Sequence, residues 1–170
     1  MDSVSNELFI KSFEEIREPL FRYLFMLLGD AAEAEDLTQE CFLRLNQHLR
    51  VHKHLDNPRA WLFRTGHNLS IDYHRHRIVM TDGRLERSSS YLRDPGHSSP
   101  ELLLERERAE LIRSAMDKLS VQQRTCLRLR SEGLRYSEIA EVLGVTEGTV
   151  CEHIKRGLAR LKMELVQNGL

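Results

Sequence analysis

Thr149, Glu152 and Lys155 follow one another at three-residue steps near the C-terminus, with Arg156 four residues after Glu152, a spacing that gathers them on one side of a helix. Lys155 and Arg156 suit guanine edges or phosphate oxygens, and the Glu152 carboxylate suits the N4 donor of cytosine. A rotation of about 100° per residue turns Gly148, Thr149, Glu152, Lys155 and Arg156 outward while Val150, Ile154 and Leu161 point inward. The chemistry indicated is recognition of bases and phosphates. Bond making has no support, since there is no glycine-rich phosphate loop, no G-x-S-x-G and no Cys-His arrangement beyond chance. Eight histidines invite a metal, with His48 and His52 at i, i+4, His54 close by, and His74 and His76 further on. No cysteine or carboxylate completes a ligand set, and there is no H-E-x-x-H, so neither metal nor cofactor is expected and no catalytic residue is assigned.

A recognition face needs a platform. The stretch Tyr136-Ser-Glu-Ile-Ala-Glu-Val-Leu-Gly-Val-Thr-Glu-Gly-Thr-Val150 supplies one with the spacing of a helix-turn-helix. Ala140 is small where two helices cross, Gly144 turns the chain, and Val150 packs back. Ile139, Leu143, Val145, Val150, Ile154 and Leu161 are the expected apolar positions, and the helix from Thr146 onward is the expected reader of the major groove.

Helical patterning extends over the rest of the chain. Leu8, Phe9, Phe13, Ile16, Leu20, Phe21, Leu24, Leu27 and Leu28 recur at helical spacing, with Pro19 predicting a kink or break near Glu18. Gly29 stops that segment, and Asp30 with Glu33 opens a second helix, expected to reach about Asn46. Asn57 and Pro58 form a cap-then-proline start for a third, reaching about Ile78. From Val79 to Ser99 the period vanishes among Gly, Ser, Asp and Pro, as in a linker. Ser99-Pro100 repeats the cap-then-proline start, Ser120 with Gln123 has capping-box spacing, and Gly133 and Gly144 mark stops. An all-α fold follows: two small helical domains, 1–80 and 100–170, joined by a flexible linker at 81–99.

Charge is segregated along this plan. The 170 residues carry a net charge of -1, yet residues 1–57 hold 6 basic against 11 acidic side chains, while 58–93 hold 7 against 3. Residues 94–112 hold 2 against 5 and residues 113–170 hold 10 against 7. Each half pairs an acidic block with a basic one. Such a chain alone would bind DNA weakly, because nonspecific affinity comes from phosphate neutralisation, so help from a partner is expected. No apolar run approaches the roughly 18 residues of a membrane span, and Met1 to Glu7 has no secretory n-region, so a cytoplasmic place without membrane insertion is expected. Cys41, Cys126 and Cys151 are far apart and odd in number, which predicts reduced thiols.

Three N-terminal motifs add a family. Asp36-Leu-Thr-Gln-Glu-Cys-Phe-Leu-Arg-Leu45, Asn57-Pro-Arg-Ala-Trp-Leu62 and Asn68-Leu-Ser-Ile-Asp-Tyr-His-Arg75 resemble region 2 of the extracytoplasmic-function sigma factors of bacterial RNA polymerase. The C-terminal half is similar to their region 4. In detail, Arg59-Ala-Trp-Leu-Phe-Arg-Thr-Gly-His-Asn68 and Glu152-His-Ile-Lys155 lean toward the iron-uptake branch.

The resemblance implies a subunit that binds core polymerase, reads the -35 and -10 promoter elements, helps open the DNA, and answers to an anti-sigma factor. It places Asp36, Leu37, Gln39, Glu40 and Leu43 at the polymerase, an acidic helix with interleaved Leu37, Phe42 and Leu43 suiting a basic helical partner. The connection Leu49-Arg-Val-His-Lys-His-Leu-Asp56 falls where the family captures an unstacked -10 base, with Arg50, His52, Lys53, His54 and Asn57 as available groups. Arg59, Arg64, Asn68, Arg75 and Arg77 of the next helix are the expected contacts to phosphates and non-template bases. Trp61 at helical spacing is expected in the core rather than on a base. For the -35 element the set is Arg135, Thr149, Cys151, Glu152, Lys155 and Arg156. Two of these depart from the family pattern: Arg135 replaces a frequent serine cap, with Ser137 able to cap one residue later, and Cys151 stands where some relatives carry a basic residue.

Two other readings compete. A quorum-response type of helix-turn-helix regulator shares the look of Glu138-Ile-Ala and Thr149-Val150 but would need a sensor domain, for which the helical N-terminal 80 residues are too short. A purely protein-binding helical adaptor would leave both basic blocks unexplained.

Overall fold

In a computed structural model of the chain, residues 3–80 and 100–167 are described, and their ordered elements are all helices. They run α1 (Ser3–Leu28), α2 (Ala31–His52), α3 (Pro58–Met80), α4 (Pro100–Asp117), α5 (Val121–Ser131), α6 (Tyr136–Leu143) and α7 (Glu147–Gln167). The expected linker at 81–99 lies outside the described residues, as does the Ser99 cap. Among the described residues no helix is long and apolar enough to cross a membrane. Two compact helical units result.

In the first unit α1, α2 and α3 all pack on one another. Ile16, Leu20, Tyr23 and Leu24 of α1 meet Ala34, Cys41, Phe42, Leu45 and Leu49 of α2 and Leu62 and Phe63 of α3, all buried. Each fully buried large side chain contributes about 1.5–3 kcal/mol of transfer free energy. Asp30 caps α2, its carboxylate accepting from the N–H groups of Ala32 and Glu33 at 2.9 and 3.2 Å. Asn57 caps α3, its Oδ1 accepting from Ala60 N at 3.0 Å. Gly66 lets the helices approach: a Cβ there would lie 3.2 Å from Leu20 Cδ1 and 3.4 Å from both Cys41 Sγ and Leu24 Cδ2.

Two expectations for this unit need correction. Of the kink or break expected near Glu18, the break does not occur; α1 runs through Pro19 to Leu28. Proline leaves the carbonyl four residues earlier without its helical donor. That carbonyl, on Glu15, receives Arg59 Nη2 of α3 at 3.5 Å, a replacement that only tertiary structure can supply. Nor does α2 stop near Asn46. Leu45 and Leu49 are both fully buried and continue its apolar stripe, Arg50 and His52 suit the negative end of the helix dipole, and Lys53 closes it by donating its N–H to Leu49 O at 3.1 Å. The expected eight-residue connection therefore shrinks to Lys53–Asn57.

The second unit holds α4, α5, most of α6 and α7, with α7 packed on both α4 and α5. Ser120 and Gln123 form a complete capping box at the start of α5. Ala115, Leu119, Cys126, Leu129, Leu134, Ile139, Ala140, Val150 and Ile154 are buried. Val145 is not among them: it is 41% exposed. The reason is local, since Gly144 takes a left-handed φ of 65° and Val145 then donates to Ala140 O, which puts Val145 in the turn instead of on a helix face. Leu143 and Leu161 are half-buried. Gly157 permits the α5–α7 crossing, because a Cβ there would sit 2.9 Å from Leu127 Cδ1.

Candidate functional site

Residues 36, 39 or 40, and 43 follow one stripe of α2. Asp36, Gln39 and Leu43 are exposed, Leu43 by 57%, and Leu37 and Glu40 are half-buried. Two acidic groups of α2, Glu35 and Glu40, pair with cations. Arg17 reaches Glu35 Oε1 at 2.5 Å, and this guanidinium, with help from Gln39, holds the Glu35 carboxyl below its usual range. Glu40 pairs with Arg44 at 2.7 Å. Phe42, expected among the interleaved apolar side chains of this face, is buried instead, with ring centroids 5.0 Å from Phe13 and 6.2 Å from Phe9. The exposed apolar neighbours on α1 are Ile10 and Phe13. Phe13, one of the apolar residues recurring at helical spacing in α1, stays 42% exposed while its ring meets Phe42.

Arg50 and His52 stand exposed on the last turn of α2, followed by exposed Lys53 and His54. His54 Nε2 lies 2.9 Å from Asp56 Oδ1. His48, His52 and Trp61 form a column, with centroids 4.5 Å apart for the two imidazoles and 5.4 Å for His48 and the indole. Burial, then the neighbouring His52, lowers the His48 pKa. Trp61 is half-buried there, neither in the core proper nor fully open. Among the described residues no group of three or more His, Cys, Asp or Glu could hold a metal ion.

On α3 the predicted cations and amide divide into two faces. Arg64, Asn68 and Arg75 are all exposed and fall within about 40° of one another around the helix, whereas Arg59 and Arg77 lie on a different side. Arg75 is 3.7 Å from Asp72. Asn57, half-buried, uses its Oδ1 as the α3 cap, and Arg59 turns its guanidinium toward α1.

In the helix-turn-helix, Thr146 starts α7 by accepting from Thr149 N at 3.2 Å, and the two threonine hydroxyls are 2.9 Å apart. Val150, Ile154 and Gly157 face inward, while Glu152, Lys155 and Arg156 are exposed and Thr149 and Cys151 half-buried. Glu152 Oε1 pairs with Arg156 Nε at 2.5 Å, so the face carries a bridged pair beside Lys155. Ser137 is not the cap of α6. Arg135 takes that position: its N–H donates to Glu138 Oε2 at 2.7 Å, and its Nε and Nη2 donate to Oε1 at 3.0 and 2.8 Å. The Glu138 carboxylate thus does what a serine cap leaves to its capping-box partner, and it raises the Arg135 pKa further.

Comparison with known proteins gives this arrangement its family. The model of "Sigma-70 region 2" matches residues 13–77, and that of "Sigma-70, region 4" matches residues 109–161. The chain is 34% identical over 161 residues to the ECF RNA polymerase sigma factor SigL of Mycobacterium tuberculosis, covering 93% of this chain and 89% of that one. It is 26% identical to the ECF RNA polymerase sigma factor SigX of Bacillus subtilis, covering 96% and 88%. In fold it is similar to the sigma factor RpoE of Bartonella quintana, solved with the anti-sigma factor NepR, at a TM-score of 0.71 and 22% identity over 92% of this chain and 96% of that one. A further fold likeness is to CnrH, solved with the cytosolic domain of CnrY, at a TM-score of 0.60 and 23% identity over 97% and 91%. With both sigma modules matched in order and a relative at this identity over most of both chains, the protein belongs to the ECF RNA polymerase sigma factors, alternative specificity subunits that bind core polymerase and direct promoter-specific initiation.

Proposed function

We propose a division of that activity among three exposed faces. Asp36, Leu37, Gln39, Glu40 and Leu43 on α2 dock on core polymerase. Arg50, His52, Lys53, His54 and Asn57, with Arg64, Asn68, Arg75 and Arg77 of α3, take the opened -10 strand, and Arg59 braces α3 against α1. Arg135, Thr149, Cys151, Glu152, Lys155 and Arg156 meet the -35 duplex. The observation that carries this reading is the sorting of charge by face: acid on α2, an exposed Arg64–Asn68–Arg75 stripe on α3, and exposed Lys155 and Arg156 on α7. Opposite charges steer docking and phosphate binding respectively, so a chain of net charge -1 acts on DNA through its polymerase.

The same reading sets the domains at 1–80 and 100–170 with a linker at 81–99, and places the protein in the cytoplasm with its polymerase. An anti-sigma partner, by likeness to RpoE with NepR, occludes these faces when the inducing signal is absent. Its presence is checked by purification from uninduced cells; a chain found there alone and constitutively active contradicts it. The Arg59–Asn68 and Glu152–Lys155 segments favour the iron-uptake branch of the family. Two variant pairs test the division of labour. Lys155→Ala with Arg156→Ala is expected to weaken -35 binding about tenfold or more while leaving polymerase assembly intact. Asp36→Arg with Glu40→Arg is expected to abolish assembly, since reversed charge opposes a basic docking surface. Equal loss of both activities in the first pair, or full assembly in the second, contradicts the assignment.

A further inference from the structure

The short connection between α2 and α3 is tied from one side by α1. Lys53 is the one non-glycine residue with a positive φ among the described residues, at 58°. Side chains other than glycine, asparagine and aspartate adopt that region rarely, and keep it where the surroundings over-determine it. Here both backbone polar groups of Lys53 are engaged: its N–H donates to Leu49 O at 3.1 Å, and its carbonyl accepts from Ser5 Oγ at 3.0 Å. Ser5 lies 48 residues earlier in the chain, near the start of α1, and is 1% exposed. The next residue continues the turn, His54 donating its N–H to His52 O at 2.7 Å. At the far end of the connection Arg59 reaches Glu15 O, again on α1. Both ends are thus anchored to one helix while Lys53, His54 and Asp56 stay exposed.

We infer that Ser5 is a positioning residue for -10 recognition: its buried hydroxyl fixes the Lys53 peptide, so that Arg50, His52, Lys53 and His54 present one arrangement to an unstacked base. This rests on the reading above that the connection receives the -10 strand. A loop held in its binding geometry loses less freedom on binding than one that must be ordered first. Base contacts, which demand position, depend on such anchoring more than phosphate contacts do. Loss of the hydroxyl should therefore lower selectivity between strands and leave general attraction to DNA in place.

The test uses holoenzyme assembled with the unaltered chain, Ser5→Ala, Ser5→Cys, and a loop variant, Lys53→Ala with His54→Ala. The probes are a labelled single strand carrying the -10 sequence recovered from run-off transcripts and a base-scrambled strand of equal length. Ser5→Ala is expected to cut the preference for the cognate strand by about five- to tenfold, the size of one lost hydrogen bond, with Ser5→Cys in between. The salt dependence of binding should keep its slope, because no phosphate contact is lost. Assembly with polymerase and -35 duplex binding should not change. If the loop variant loses the preference and Ser5→Ala keeps it, the positioning role is wrong and the -10 reading stands. If both keep it, the -10 reading fails and the inference with it. A loss in Ser5→Ala that extends equally to assembly and -35 binding points to general destabilisation and also overturns the role.

Discussion

Burial decides which of the three thiols is chemically available. It pushes Cys41 up to about 12 and Cys126 to about 11, against about 8.5 for a free cysteine, so neither holds a useful thiolate fraction near neutrality. Cys151, half-buried on α7, is the accessible one. Iodoacetamide at pH 8 is expected to modify Cys151 alone in the folded protein, read by peptide mass spectrometry; rapid labelling of Cys41 would contradict the packing of the first unit. His67 gives a second residue-scale consequence. Its Nδ1 is 2.9 Å from the buried Tyr23 hydroxyl, and burial lowers its pKa. The unfolded chain, with a histidine pKa near 6.5, then binds more protons in mild acid than the folded one. His67 therefore supports the fold above about pH 6.5, and this support is lost as pH falls through the lower folded-state value. Glu35, its carboxyl lowered by Arg17, adds a loss of the same sign below the ordinary carboxylate range. Thermal melting should accordingly fall from pH 7 to pH 5, and His67→Gln should flatten that slope; a melting temperature that rises toward pH 5 would contradict the assignment.

At the scale of elements, helices meet where a side chain is missing. A Cβ at Gly66 would crowd Leu20, Leu24 and Cys41 together, so relief at one contact tightens another. Gly66→Val is expected to destabilise the first unit by about 1–3 kcal/mol, measured by denaturant unfolding. The starts and stops of these helices were legible because they are local: Asp30, Asn57 and Ser120 each cap the helix that follows them. What was not legible depends on partners distant in sequence or on geometry that periodicity does not specify. Pro19 does not break α1, and Arg59 lies 44 residues from the carbonyl it meets there. The end of α2 moved to His52, where Lys53 is closed through a Ser5 contact 48 residues away. Phe42 and Val145 exchanged their expected places because an aromatic cluster buries the first and a left-handed glycine turns out the second. Arg135 as a cap required its fork onto Glu138, where serine was the familiar choice.

For the whole molecule, each half pairs an acidic block with a basic one, and exposed Asp36 on α2, exposed Arg64 and Arg75 on α3 and exposed Lys155 and Arg156 on α7 follow that alternation. Which arginines of α3 are exposed was less accessible to sequence, since identical arginines at helical spacing serve different ends: Arg64 and Arg75 are exposed on one face, and Arg59 ties α3 to α1. A near-neutral total charge with segregated blocks leads us to expect weak binding of DNA by the chain alone. The most direct test is run-off transcription by purified bacterial core polymerase, with and without this protein, over a pool of promoter fragments from its own genome. The expected result is a set of transcripts that depend on the protein and share two spaced promoter elements. Transcripts that do not depend on it, together with tight duplex binding by the free chain, would contradict the account.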